Sequence, residues 1–495
     1  MRLARALTQV ASGGVTPAPT DQRSTRSIMA WASLGLVAVA TWIFTISRAV
    51  PLRDGDRGVF VSMAERLAAG DVLYEDVWDN KEPLFFWTLS LGRLVSPGMD
   101  LVIEVAWIAA ASVAIFFAAR SAGAQNLFAA AAGFLATPLI LTGAVYHAGF
   151  SHLPATAVFL AIAALALKRQ WLLAGGLLPV LALYKIITVP MGLAVLIAAL
   201  VVLGNKRAWL QSVFSALGVS AVLLLLLAVR GELLGFLELV WSNIGYSQQP
   251  LADAYQVPIW SHLEPVMVPG AVISVTTTAL AILVVRTTRG SAFRVLKLMT
   301  AWSLLAAVGI TALTGLWEHH AQLFYGPAAL AGALVAVALQ RSSFSWASGL
   351  SASFLAGIVL SGGLSAREAI DSGLSAPTRW ADLFRVSQAA EDIRQLDSNL
   401  TYMRLGSNTD DSHAYGLRDF DFACYQFVQY YYDLPETLEY IPTCLPTADI
   451  VIVDNSLSER PGADRWNEYV NASRSVLAQS FDCVPRDYGE LCRRR

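Results

Sequence analysis

Apolar runs of about 20 residues recur along this chain, separated by short junctions that carry most of its charge. Few folds accept that pattern. Inside hydrocarbon every backbone N–H and C=O must find a partner within the protein, which leaves helices and closed barrels, and runs of this length suit helices. Spans are expected near 28–49, 101–119, 127–145, 152–167, 170–187, 189–204, 208–229, 265–286, 294–314, 320–340 and 345–363, about eleven in all. Pro190 separates two of the shorter ones, and the run from Leu84 to Val95 is too short to cross and reads as interfacial or re-entrant. With 55% hydrophobic and 15% charged residues, the chain is also more apolar than a soluble domain.

The Lys/Arg bias of short loops sets the expected orientation. Arg2, Arg5, Arg23 and Arg26 precede the first span. Alternate junctions then hold Arg120, Lys168 with Arg169, Lys206 with Arg207, the segment from Arg286 to Lys297, and Arg341. Those ends are expected in the cytoplasm, with residues 1–27 a disordered cytoplasmic tail that lacks the apolar core of a signal peptide. The loop 50–100, the loop 231–264 and everything after about residue 364 then lie outside. All four cysteines, Cys424, Cys444, Cys483 and Cys492, fall in that outer tail, and an even count confined to one region suggests disulfides in an oxidising compartment. Four cysteines allow three pairings. Cys483 and Cys492 are close enough to close a small loop, with Cys424 and Cys444 as the complement.

The expected fold is therefore mainly α, a polytopic transmembrane bundle over 28–363 followed by a small extracytoplasmic α/β domain over 364–495. In the latter, a helical pattern spans Trp380 to Leu396, and the runs LTYMRL and ADIVIVD read as strands. A net charge of −2 gives no electrostatic reason to expect a nucleic-acid partner.

The outer face collects five of the six histidines (His147, His152, His262, His319, His320), Lys185, and the aromatics Trp78, Trp241, Tyr246, Tyr255, Trp260 and Trp317. The aromatics read first as an interfacial belt, and second as surfaces for sugar rings or lipid. Glu104, near the start of a span, reads as a solvated helix end. The first outer loop runs DGDRGVFVSMAERLAAGDVLYEDVWDNKEP from Asp54 to Pro83. Carboxylates concentrated beside a bilayer carry a solvation cost unless hydrated or paired, which marks this loop for chemistry. Val59, Phe60, Met63 and Leu67 recur at helical spacing beside Arg57, Glu65 and Arg66. Residues 57–69 are therefore expected as an amphipathic helix on the membrane surface, ended by Gly70. Asp56 would precede its N-terminus, where an anion is favoured, either as a helix cap or as a reactive group.

An acid before a short helix that ends in Gly, then Tyr-x-Asp-x-x-Asp-x-Lys-x-Pro-Leu over Tyr74–Leu84 before an aromatic run, resembles the first outer loop of the GT-C membrane glycosyltransferases. The chain looks most like the protein O-mannosyltransferases and the aminoarabinose transferases of lipid A. The resemblance implies a polytopic helical bundle with an extracytoplasmic active site and a polyprenyl-phosphate sugar as donor. It implies that Asp56 is the catalytic base and that Tyr74, Asp76, Asp79 and Lys81 shape the donor-phosphate and acceptor site. Lys185, in ALYKIITVP, and the segment WEHHAQLFYGPA with His319 and His320 are similar to the family's outer lysine and His-Tyr segment. This likeness covers the chain to about residue 340. The family more often has Pro or Gly where this chain has Glu82, a departure that bears on the local loop shape and on acceptor choice.

The chemistry agrees with the resemblance. A sugar leaving a lipid phosphate needs a base for the incoming hydroxyl and cations for the departing phosphodiester. Asp56 would be the base; Lys81, Lys185 and His320 would hold the phosphate; Tyr74, Asp76, Asp79 and His319 would shape donor and acceptor. Lys185 has a second reading, snorkelling from a helix end. A divalent metal at Glu318, His319 and His320 is a further reading, weakened because adjacent histidines do not share a helix face. The expected function is inverting transfer of a sugar from a polyprenyl-phosphate donor to an extracytoplasmic glycan, lipid or protein acceptor. The alternative is a lipid or solute transporter or flippase. Transporters place polar sites near the midplane and often show internal repeats, and neither is visible here. A third reading is an envelope scaffold whose working part is the tail.

Overall fold

The computed structural model describes residues 20–49, 56–96, 98–142, 151–241, 243, 267–284, 290–314, 322–340, 391–393, 395–396, 400–405, 421–424, 440, 442–455, 457–459 and 464–495. Its helices are α1 (Thr20–Ala49), α2 (Asp56–Ala69), α3 (Pro83–Arg93), α4 (Met99–Ser121), α5 (Asn126–Leu141), α6 (His152–Leu167), α7 (Trp171–Tyr184), α8 (Val189–Leu203), α9 (Lys206–Val229), α10 (Met267–Val284), α11 (Ser291–Thr314) and α12 (Tyr325–Leu339). Each of the first ten expected spans falls on an apolar helix, and the eleventh, 345–363, lies outside the described residues. Six of these helices are long and apolar enough to cross a membrane by length and composition, and four are shorter. The protein is an integral membrane protein.

Local chemistry sets the helix ends. Asn205 caps α9, its side chain accepting from Ala208 N–H at 2.9 Å. Pro83 starts α3 where its missing N–H costs nothing, after an extended Glu82. The chain leaves the α7 helix at an extended Lys185, and Pro190 opens α8. That break falls where the sequence divided two short apolar runs. α7 and α9 touch backbone to backbone: a Cβ on Gly175 would lie 2.3 Å from the Ser212 carbonyl oxygen. Small residues that allow such approach replace the hydrophobic drive that lipid removes.

Burial sorts the bundle into layers. In α12 89% of the spanning window is buried, against 11% in α1 and in α9. A helix apolar on every side belongs at the centre, so α12 is core, while α1 and α9 present apolar side chains outward.

After the helices comes a five-stranded mixed sheet ordered β2-β1-β3-β5-β4, from β1 (Thr401–Leu405), β2 (Asp421–Phe422), β3 (Ile450–Asp454), β4 (Phe481–Arg486) and β5 (Gly489–Arg494). β1 runs parallel to β2 and β3, and β5 is antiparallel to β3 and β4. The expected strand runs become β1 and β3, whereas of the expected helix from Trp380 to Leu396 only 391–393 is described as helical. All five β3 residues are buried. One face packs on Trp466 and Tyr469 of α13 (Asp464–Ser480), and the other on Ile393, Tyr402 and Leu491. Cys424 bonds Cys444, and Cys483 bonds Cys492 opposite it in the β4–β5 register.

Two expectations change. Helix α2 forms, but it is not a surface helix: Phe60, Val61, Met63, Ala64, Glu65, Arg66 and Leu67 are all buried. Phe85 and Phe86 of α3 meet Phe60 edge-on, with centroids 5.2 and 5.9 Å away. The charges that periodicity assigned to water are partnered instead, Arg66 with Asp71 at 2.6 Å and Glu65 with Arg93 at 3.4 Å. Glu104 is not a solvated helix end either; it is buried one turn beyond Asp100, which pairs with Arg93.

Candidate functional site

Helix α2 ends at Gly70, whose φ of 119° suits glycine, and Gly70 and Asp71 N–H both donate to the Arg66 carbonyl. The chain then folds tightly on itself. Val72 N–H donates to the Asp76 carboxylate at 2.7 Å, and Tyr74 N–H to the Val77 carbonyl at 2.6 Å. Tyr74 holds a left-handed φ of 72°, a conformation that costs a non-glycine residue about 1–3 kcal/mol unless its surroundings enforce it. They do: its hydroxyl donates to the Lys81 carbonyl at 2.8 Å, and Gly235 leaves room for its Cβ, which would lie 2.3 Å from a methyl placed there.

The motif residues are thereby drawn inward. Asp79 accepts from Lys81 N–H at 3.0 Å and is 2% exposed, while Asp76 stays exposed. The Lys81 ammonium donates to the Asn80 side chain and lies 5.4 Å from the Phe60 ring centroid. Asn243 donates to the Asn80 carbonyl at 3.1 Å. Lys81 is thus a buried cation with a fixed position.

Lys185 comes to the same place through its neighbours. Glu82 accepts a 2.7 Å hydrogen bond from Ile186 N–H, and Thr88 bonds the Tyr184 hydroxyl at 2.8 Å. The first of these ties the side chain next to Lys81 to the backbone next to Lys185 across 104 residues. Both lysines are 8% exposed.

Behind them, Glu232 accepts from the Trp87 indole N–H and from Arg230, each at 2.8 Å. Burial pushes the Glu232 carboxyl above the ordinary carboxylate range, against the opposing pull of Arg230, Trp87 and a Leu73 N–H. Burial also lifts the Tyr74 hydroxyl well above the usual phenol value, and the negative charges of Glu82, Glu232 and Asp79 lift it further. It therefore stays protonated as a donor.

Asp56 is the first residue of α2, one position inside a helix expected to begin at residue 57. His319 and His320 lie outside the described residues, as do His147, His262, Tyr246, Tyr255, Trp260 and Trp317. Trp241 is exposed, as a belt residue would be, and His152 is buried. Among the described residues the one grouping of metal-type donors is Cys483, Glu490 and Cys492. Its two sulfurs are bonded to each other, so it holds no ligand set. Sequence reading passed over Trp87, Arg230, Glu232 and Asn243, because contacts across more than 140 residues leave no local spacing signal.

The architecture is similar to that of two solved membrane proteins. ArnT from Cupriavidus metallidurans, solved bound to undecaprenyl phosphate, superposes with a TM-score of 0.56 at 14% identity, over 93% of this chain and 97% of that one. The archaeal oligosaccharyltransferase AglB from Archaeoglobus fulgidus, solved with an inhibitory peptide and a dolichol-phosphate, gives a TM-score of 0.52 at 11% identity, over 95% of this chain and 74% of that one. No protein-family model matches the chain, and no curated protein matches it in sequence.

Proposed function

We propose that this protein is an inverting glycosyltransferase that moves a hexosyl or pentosyl group from a polyprenyl-phosphate donor to an extracytoplasmic glycan, lipid or protein acceptor. The observation that carries the reading is the Glu82–Ile186 hydrogen bond, which joins the stretches bearing Lys81 and Lys185 inside one buried loop cluster. Two buried lysines suit a phosphodiester, whose charge grows as the sugar leaves. The shared architecture and the polyprenyl phosphates bound in the two similar structures support the same donor class.

In this mechanism the Asp56 carboxylate takes the proton of an acceptor hydroxyl, and the resulting oxygen attacks the anomeric carbon from the face opposite the phosphate. The bond from that carbon to the phosphate oxygen breaks, and the lipid phosphate leaves toward Lys81, Lys185 and His320. Tyr74, Asp76, Asp79 and His319 shape the space for donor and acceptor. Tyr74 does so by holding the Lys81 carbonyl, and Asp79 by turning the chain at Lys81.

The reading includes an inner (plasma) membrane location in a bacterium, with the N-terminus cytoplasmic and the loop cluster and C-terminal domain (364–495) outside. Two disulfides fit an oxidising compartment. The test is transfer of radiolabelled sugar from a panel of polyprenyl-phosphate sugars in membranes holding wild type or Asp56→Asn at matched expression. Loss of a general base typically lowers the rate by about 10²–10⁴. Equal transfer by both proteins removes Asp56 from the mechanism, and an inactive wild type moves weight to a transporter.

A further inference from the structure

Glu82 stands at the start of α3 but does not cap it. Its Oε1 is committed to Ile186 N–H, while Oε2 is fully buried and has no hydrogen-bond partner among the described residues. The residue is 2% exposed. A buried carboxylate oxygen left without a donor is expensive and rare, and where one persists it needs an explanation. Two neighbouring acids are served: Asp79 takes Lys81 N–H, and Glu232 takes Trp87 and Arg230.

We infer that Glu82 Oε2 accepts a hydrogen bond from the sugar of the bound lipid-linked donor, making Glu82 the residue by which this site distinguishes a loaded carrier from a spent one. This rests on the reading of the protein as a polyprenyl-phosphate glycosyltransferase and specifies what the site holds. Of the three parts of such a donor, the hydrocarbon chain has no polar hydrogen and the phosphodiester is an acceptor that a carboxylate repels. The sugar alone offers O–H or N–H groups. Position points the same way: Glu82 lies between Lys81 in sequence and Ile186 in space, next to Lys185. A phosphate held by the two lysines therefore places its attached sugar beside Oε2. After transfer, the bare lipid phosphate leaves Oε2 without a donor again, which weakens product binding relative to donor.

The experiment measures binding, without turnover, of the full-length protein in detergent to undecaprenyl phosphate and to undecaprenyl phosphates carrying glucose, mannose, galactose or arabinose. Wild type should bind at least one loaded lipid about tenfold or more tightly than the bare lipid, the value of a hydrogen bond to a buried charge. Glu82→Gln keeps an oxygen for Ile186 N–H but presents an amide N–H₂ at the other position. It should erase that preference and, with the charge that repels phosphate gone, bind bare undecaprenyl phosphate at least as tightly as wild type does. Removing the responsible sugar hydroxyl should cost wild type the same factor and the variant nothing. If Glu82→Gln does not fold, the test rests on wild type, which should bind the loaded lipid lacking that hydroxyl no more tightly than the bare lipid. A variant that keeps the wild-type preference, or a wild type that binds loaded and bare lipid alike, overturns the inference and leaves the proposed function standing. A wild type that binds none of these lipids overturns both.

Discussion

The loop cluster and the C-terminal sheet hold together by opposite means. In the cluster, charges are buried and joined across the chain: Arg93 with Glu65 and Asp100, Glu232 with the Trp87 indole, Glu82 with Ile186. In the sheet most of the described ion pairs, such as Arg495–Asp482 and Arg494–Asp449, sit at the rim with both side chains partly in water, Arg404–Asp454 being more enclosed, and two disulfides cross-link the region, one of them in its core. Breaking a buried pair strands a charge, whereas a rim pair can be rehydrated. One region is vulnerable at its charges and the other at its cross-links.

The largest effect that would sharpen this contrast is at Arg93. Arg93→Ala removes a cation facing two buried carboxylates and should cost about 3–5 kcal/mol, seen as a large drop in melting temperature in detergent. Arg495→Ala should change stability by less than about 1 kcal/mol, and equal losses in the two variants would break the comparison. Next comes the Cys424→Ser, Cys444→Ser double substitution. It opens a loop of 20 residues, worth about 3 kcal/mol, and limited proteolysis should then cut the sheet region while the helices stay resistant. A smaller loss, about 1–3 kcal/mol, is expected from Gly235→Ala, which drives a methyl into the Tyr74 side chain. Its signature is weaker donor binding, because the displaced tyrosine releases the Lys81 carbonyl.

The smallest effect is with pH, and its sign differs between the regions. The Glu232 carboxyl is raised in the folded protein, so the fold holds its proton more tightly than the unfolded chain does. Its contribution is fully present below the unfolded value of about 4.3 and is lost as pH rises through the folded value. Asp449 is lowered, chiefly by the Thr401 backbone N–H and also by the Thr401 hydroxyl and Arg494. Its contribution is present above the unfolded value of about 3.9 and is lost as pH falls through the folded one. Acidification from pH 6 to 3 should therefore loosen the sheet at Thr401 while sparing the loop around Trp87, as read by hydrogen exchange at each site.

What the sequence revealed follows the range of the forces involved. Helices in lipid are written locally as unbroken apolar runs, so ten of the expected spans fall on apolar helices, and β-branched runs such as Ile450–Asp454 announce a buried strand. Helix α2 was legible as a helix but not as a buried one. Its periodicity shows which side chains share a face, and nothing local says that Arg93, 28 residues on, will meet Glu65. Glu232 and Trp87 are individually ordinary residues whose pairing exists only after folding. Glu82 stood out as a departure from a motif, and the structure supplies the orphaned oxygen that gives the departure a chemical meaning.

The sheet also approaches the loop: the buried Tyr402 of β1 lies within electrostatic range of Arg66 and Glu65 of α2, although more than 330 residues separate them in sequence. The cluster's cross-links span long intervals as well, 104 residues from Glu82 to Ile186 and 145 from Trp87 to Glu232. A ribosome needs on the order of ten seconds to make such a stretch. Through that interval the segment from Asp56 to Arg93 has already been synthesised while the helices that will hold it are still to come. Its buried acids and Lys81 must wait at the membrane surface, hydrated or in the care of the insertion machinery, and α9 has to be in place before the loop can close.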